Sequence, residues 1–168
     1  MAKNKVKVKI KGIERTEAYF AAMVRRSWNF HSELKWARDE LKKANRLNFA
    51  TQGEASGRAW NALDMEYQSW KIEHYGSLPT MIRSGDLFRD LTTLSGRVNY
   101  VGRKTATFGT DLDYARFHQT GTRFMPARKI VFVPKGFARE LGEKVGEYLL
   151  YGNKGSQGYK RIKAVVFD

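Results

Sequence analysis

The chain has 168 residues, which suits one domain with a single core, and a composition of 42% hydrophobic and 29% charged residues is that of a folded globular protein rather than a disordered one. It has no cysteine, which excludes disulfides, thiolate nucleophiles and thiolate metal sites, and no run of about 20 apolar residues, which excludes a membrane-spanning helix. A net charge of +14 points to a polyanionic neighbour, either nucleic acid or an acidic protein surface, with a merely solubilising surface as the plain alternative.

Met1 to Lys5 has no apolar signal core, so export by a signal peptide is not expected. Val6, Val8 and Ile10 alternate with Lys5, Lys7, Lys9 and Lys11, the period-two pattern of a strand with one wet, basic face. Thr16 is placed to cap the helix that follows, with Glu14 and Glu17 near its positive end. From Glu17 to Asn48 there is no glycine or proline, and Phe20, Val24, Trp28, His31, Leu34, Ala37, Leu41, Ala44 and Leu47 recur at steps of three or four. This predicts one long amphipathic helix, or two collinear ones with a bend near Asn29. At 1.5 Å per residue it would reach about 45 Å, longer than a core of this size needs. Its polar side carries Arg25, Arg26, Lys42 and Lys43, a candidate DNA-facing surface together with the lysine strand.

Gln52 to Gly57 breaks the helix. Trp60, Leu63, Tyr67 and Trp70 or Lys71 predict a second helix over about 60–73, ended by Tyr75 to Pro79. Asp86 can cap a short turn of helix carrying Leu87, Leu91 and Leu94. Val98 with Tyr100, and Ala106 with Phe108, predict two short strands joined at Gly102-Arg103-Lys104. Residues 113–118 have no readable period. Ile130 to Val133 is β-branched and aromatic and predicts a buried strand. Phe137, Leu141, Val145, Tyr148 and Leu149 form a last helical stripe. The predicted fold class is α+β, a mostly antiparallel sheet packed against a long N-terminal helix and a C-terminal helix. Residues 1–151 form the domain, and 152–168 form a flexible linker with a C-terminal strand or arm.

Catalytic and cofactor chemistry finds no foothold. The histidines, His31, His74 and His118, have no metal-ligand spacing, and His31 belongs to the apolar stripe as a packed residue. Asp111, Asp113 and His118 are the acid and imidazole cluster worth testing, but no nucleophile sits in a recognisable elbow beside them. No glycine loop has a nucleotide-binding pattern, and most tryptophans and tyrosines fall at core spacing rather than on a base-stacking platform. The reading is of a non-enzyme without cofactor or metal. Any DNA contact is with phosphates and blind to sequence.

The most informative stretch is Gly109-Thr-Asp-Leu-Asp-Tyr114-Ala-Arg-Phe-His118-Gln119-Thr-Gly121, followed by Pro126-Ala127-Arg128. With Gly57-Arg58-x-Trp60-x-x-Leu63, Tyr67, Lys71 and Ser84-Gly85-Asp86-Leu87, it resembles the phage virion morphogenesis family. That family includes the tail completion proteins of P2-like and Mu-like phages and is more distantly related to siphophage neck and tail completion proteins. The resemblance runs in order over about residues 50–133; Ser84 replaces a threonine, Lys129 stands where a proline is usual, and Ile130-Val131 replaces Phe-Leu.

The resemblance implies a structural protein at the head-tail junction of a virion, assembled in the bacterial host cytoplasm. It implies a homo-oligomeric ring, with six the expected number, joining tail to connector around the DNA passage, with connector and tail terminator or tube proteins as partners. The alternative is a nonspecific basic DNA-binding protein. Within the signature, Gly121 is expected to permit a turn, Pro126 to fix the chain direction, and His118 and Gln119 to satisfy irregular backbone. Tyr114 is a further interface or turn-shaping candidate. Arg128 is the candidate for an intersubunit ion pair or carboxylate clamp, against a local salt bridge.

Overall fold

The computed structural model describes residues 13–153, of which 54% are helical and 6% are in strands. The expected sheet-based α+β fold is therefore corrected to a mostly helical fold carrying one two-stranded hairpin. Two of the expected strands, 6–10 and 159–167, lie outside the described residues, as do Lys5, Lys7, Lys9 and Lys11.

The long N-terminal helix is two helices, α1 (Ile13–Arg26) and α2 (His31–Ala50). At the break the Asn29 side chain accepts a hydrogen bond from the His31 amide at 3.1 Å, and the Phe30 amide donates to the Arg103 carbonyl at 2.7 Å rather than to its own helix. Helix α1 starts at Ile13, so Thr16 is inside its first turn and not its cap. It buries no residue, and Phe20, Val24 and Trp28 of the expected apolar stripe are all exposed. His31, expected to be packed, is exposed as well.

Helix α2 turns an unexpected face inward. Its buried residues are Glu33, Ala37, Lys42, Asn45, Asn48 and Phe49, while Leu47 points outward. Two of the polar members, Lys42 and Asn45, face the end of α4 (Asp86–Thr92). Lys42 Nζ donates to the Asp90 and Thr93 carbonyls, and Arg46 donates to the Thr92 carbonyl at 3.1 Å. A helix C-terminus leaves carbonyls without partners, and a neighbouring helix here supplies the donors and the positive charge that such an end favours. Burial, followed by the Arg38 charge, lowers the pKa of Lys42 from its ordinary value. Asp90, fully buried at the same end, accepts from the Thr110 hydroxyl at 2.7 Å and pairs with Arg97.

After the 3-10 turn Glu54–Ser56, the expected helix over 60–73 begins later, as α3 (Met65–Tyr75). Asp64 is its cap, accepting from the Glu66 and Tyr67 amides. Trp60 is left in an irregular segment and enters the core, edge-on to Phe49 at 5.2 Å between centroids. The hairpin forms as expected from β1 (Val98–Val101) and β2 (Ala106–Gly109), antiparallel, with Asn99 opposite Phe108. Residues 113–118, without readable period, contribute to α5 (Ala115–Thr120). Phe137–Tyr151 forms the last helix, α6, which packs on α1 and α2.

Ile130–Val133 is the informative failure. Ile130 is buried as expected, but among the described residues the segment pairs with no strand. Its neighbour is a side chain. Gln119 Oε1 accepts from the amides of Ile130 (2.9 Å) and Val131 (3.1 Å), and Gln119 Nε2 donates to the Val131 carbonyl at 3.0 Å. The Lys129 carbonyl accepts from Asn48 Nδ2 and from Trp60 Nε1. Side-chain donors and acceptors take the place of a ladder, so the backbone is satisfied without a sheet. The core that these contacts close consists of Phe49, Trp60, Met81, Leu87, Leu91, Ala115 and Ile130.

Candidate interaction site

A cleft of about 530 Å³ lies between α3, the 80–87 segment, α5 and the 122–128 turn. It gathers pieces that are scattered in sequence: Leu63, Tyr67 and Lys71, then Ser84, Gly85 and Leu87, then Tyr114, His118, Pro126 and Arg128 all line it. These are residues from each part of the signature.

Gly121, at the C-terminal end of α5, has φ +75°, and a Cβ there would lie 2.8 Å from the Ala127 nitrogen. A side chain is therefore opposed both by backbone conformation and by the returning strand of the turn. The Thr122 and Met125 amides and carbonyls close that turn on each other, and the Arg128 amide then donates to the His118 carbonyl at 2.7 Å. Pro126 forms part of the cleft wall. Tyr114 precedes α5 and meets His118 edge-on at 5.9 Å. Burial and then the Asp86 charge raise the Tyr114 pKa.

Arg128 is buried, and its fork grips backbone rather than carboxylate. Nε donates to the Asn61 carbonyl and Nη2 to the Ala62 carbonyl, both at 3.0 Å. It makes no ion pair among the described residues. The alternative of a local salt bridge is not met among the described residues, where the guanidinium holds the segment leading to α3. Lys71, also buried, does the same for the opposite wall, donating to the carbonyls of Leu78, Pro79 and Thr80. Burial lowers the pKa of both groups.

The Asp111, Asp113 and His118 cluster does not assemble. Asp111 pairs with Arg97 at 3.3 Å, Asp113 is exposed, and His118 Nδ1 is buried without a hydrogen-bond partner among the described residues. Burial first, and the Arg128 charge second, lower the His118 pKa from its ordinary 6.5, which keeps the ring neutral at pH 7. Among the described residues no group of three His, Asp or Glu is placed to hold a metal, and no helix is long and apolar enough to cross a membrane.

The basic candidates are not brought to one surface. Arg26 donates to the Leu149 and Leu150 carbonyls at the end of α6. Lys42 is turned inward, a correction to its expected DNA-facing place, because the carbonyls at the end of α4 claim its ammonium. Arg25 is exposed, as is Lys43, which pairs with Glu40 at 2.6 Å. Reading by residue type missed Asp64, Arg83, Thr80 and Met81 as cleft residues. Only Asp64 had a local signal, an acid just before a helical period.

No curated protein and no solved structure gives a significant match to the chain. The model of the phage virion morphogenesis family matches residues 13–150, the whole span from α1 nearly to the end of α6. The signature residues converge on one cleft, and the chain belongs to the phage virion morphogenesis family, as a tail-associated structural protein of the virion.

Proposed function

We propose that this protein is a tail completion or neck protein that forms a ring at the head-tail junction and joins the tail to the connector around the DNA passage. The observation that carries this reading is a pair of separate apolar surfaces on one small chain. One is the outer side of α1, with Phe20 and Val24, and the break that follows it, with Trp28; the other is α3 with the adjacent turn, where Met65, Tyr67, Trp70 and Phe124 are exposed. Exposed apolar residues gathered in this way mark a surface that a neighbour covers. Separate surfaces on the same subunit suit a ring, whose contacts are heterologous and join unlike faces of successive copies. Isolated exposed apolar residues are ordinary, but here Phe20 and Val24 are one turn apart on α1 and Tyr67 stacks on Trp70 on α3.

Native mass measurement of the purified protein is expected to give a closed ring, six copies being the expected number. Reconstruction of an intact virion is expected to place that ring between connector and tail. Density for the protein along the tail tube, or only in the baseplate, would rule the reading out.

A further inference from the structure

We infer that successive copies join through the α3–α5 cleft of one subunit and the acidic outer stripe of α6 on the next. This rests on the ring reading above and names its interface.

The cleft is electrically one-sided. Lys71, Arg83 and Arg128 line it against a single acid, Asp64, whose carboxylate is already occupied by the first amides of α3. Lys71 and Arg128 donate to neutral carbonyls, which solvate a cation without neutralising it. Arg83 is exposed at the rim, packs loosely over Tyr75 and makes no ion pair among the described residues. The rest of the rim is apolar and uncovered, with Tyr67 and Phe124 the main exposed surfaces. Such a site fits an occupant that brings carboxylates on an apolar support.

Helix α6 has that chemistry. Glu140, Glu143 and Glu147 follow one another at steps of three and four along an exposed side that Leu150 continues. In a chain of net charge +14 this is a local inversion of sign. Arg139 pairs with Glu143 at 3.9 Å, a contact exposed at both ends that holds little.

Placement decides that the contact is between copies. Helix α6 packs near the start of α2, through Tyr148 on Phe30 and Phe137 stacked on Trp36. The cleft is built at the other end, where Phe49 meets Trp60 and Asn48 holds the Lys129 carbonyl. Helix α2 has 20 residues, so roughly 30 Å separates its ends. Stripe and cleft thus sit toward opposite ends of α2, and a contact that joins them between identical subunits is heterologous and forms a ring where its rotation closes. DNA is the competing polyanion, but a phosphate backbone leaves the apolar rim unmatched.

The test compares the full-length protein with Arg83→Glu, with Glu140→Lys/Glu143→Lys, and with the three changes combined, by sedimentation velocity over a concentration series. All three positions are exposed, and circular dichroism checks the fold. Each reversal is expected to weaken self-association about tenfold or more, and the combination to recover most of the loss. An assembled wild type whose association is unmoved by the reversals, or a combination with no recovery, overturns the interface and leaves the ring. A monomeric wild type overturns the ring and the interface with it. Dissolution of the assembly by a short DNA duplex that Arg83→Glu no longer binds would assign the cleft to phosphate instead and overturn the proposal.

Discussion

Gln119 illustrates how much one side chain can organise. Its amide presents a donor and an acceptor side by side, as a neighbouring strand would, and it serves both amides and one carbonyl of residues 130–131. Gln119→Leu keeps the volume but strands these groups. It is expected to lower stability by about 2–4 kcal/mol, from roughly 1–3 kcal/mol for each buried group left without a partner, measured as a shift in the urea midpoint. Gly121→Ala is expected to cost about 1–3 kcal/mol for backbone strain alone, with more from the Ala127 clash; an unchanged melting temperature would refute the turn argument. His118 adds a pH dependence. Its folded pKa is depressed, so the unfolded chain binds the proton first, and stability present above about pH 6.5 is lost as pH falls through the folded value. His118→Phe is expected to flatten the stability profile below that point, where one such group contributes a slope of up to about 1.4 kcal/mol per pH unit. The sequence alone marked Gln119 and Gly121 as backbone organisers, through their place in the signature; it marked His118 as well, whose Nδ1 has no hydrogen-bond partner among the described residues. The role of Arg128 was not legible, because an arginine that clamps carbonyls and one that pairs with a partner's carboxylate are the same letter.

Among the elements, α2 and α4 form a unit held by capping rather than by apolar packing alone. Lys42→Met removes the donor that serves the Asp90 and Thr93 carbonyls, and is expected to destabilise the fold by about 1–3 kcal/mol despite being more hydrophobic. Thermal unfolding measures it. Helix α1, with no buried residue, is expected to exchange its amide hydrogens well before α2, a difference that hydrogen-exchange mass spectrometry reads directly. Legibility at this scale followed the physics. The hairpin was readable because alternation and a glycine-containing turn coincide at 98–108, and α6 because its apolar residues keep one helical stripe. The inward face of α2 was hidden, since Lys42, Asn45 and Asn48 read as solvent-facing by type but are buried, the first two where α4 ends against them and the third where it holds the Lys129 carbonyl. Ile130 to Val133 announced burial and extension correctly; hydropathy carries no information on whether a strand or a glutamine completes the hydrogen bonds.

For the whole molecule, the excess of positive charge overstates what is available to a polyanion. Arg26, Lys42, Lys71 and Arg128 all donate to backbone carbonyls within the fold. Duplex binding is accordingly expected to be weak, insensitive to sequence and lost by about 0.15 M salt, as fluorescence anisotropy across a salt series would reveal. The cleft itself was present in the sequence only as separate fragments, because the distance from Leu63 to Arg128 along the chain conceals their shared wall.

The junction between α1 and α2 is gripped by the hairpin tip. Phe30 donates to the Arg103 carbonyl, and the Lys104 ammonium sits 4.1 Å from the centre of the Trp28 ring. The direction in which α1 leaves the body is thus set by a two-stranded bracket some seventy residues downstream. Lengthening or deleting that bracket would re-aim the N-terminal arm while sparing the core, and whatever grasps the bracket from outside gains a handle on the arm.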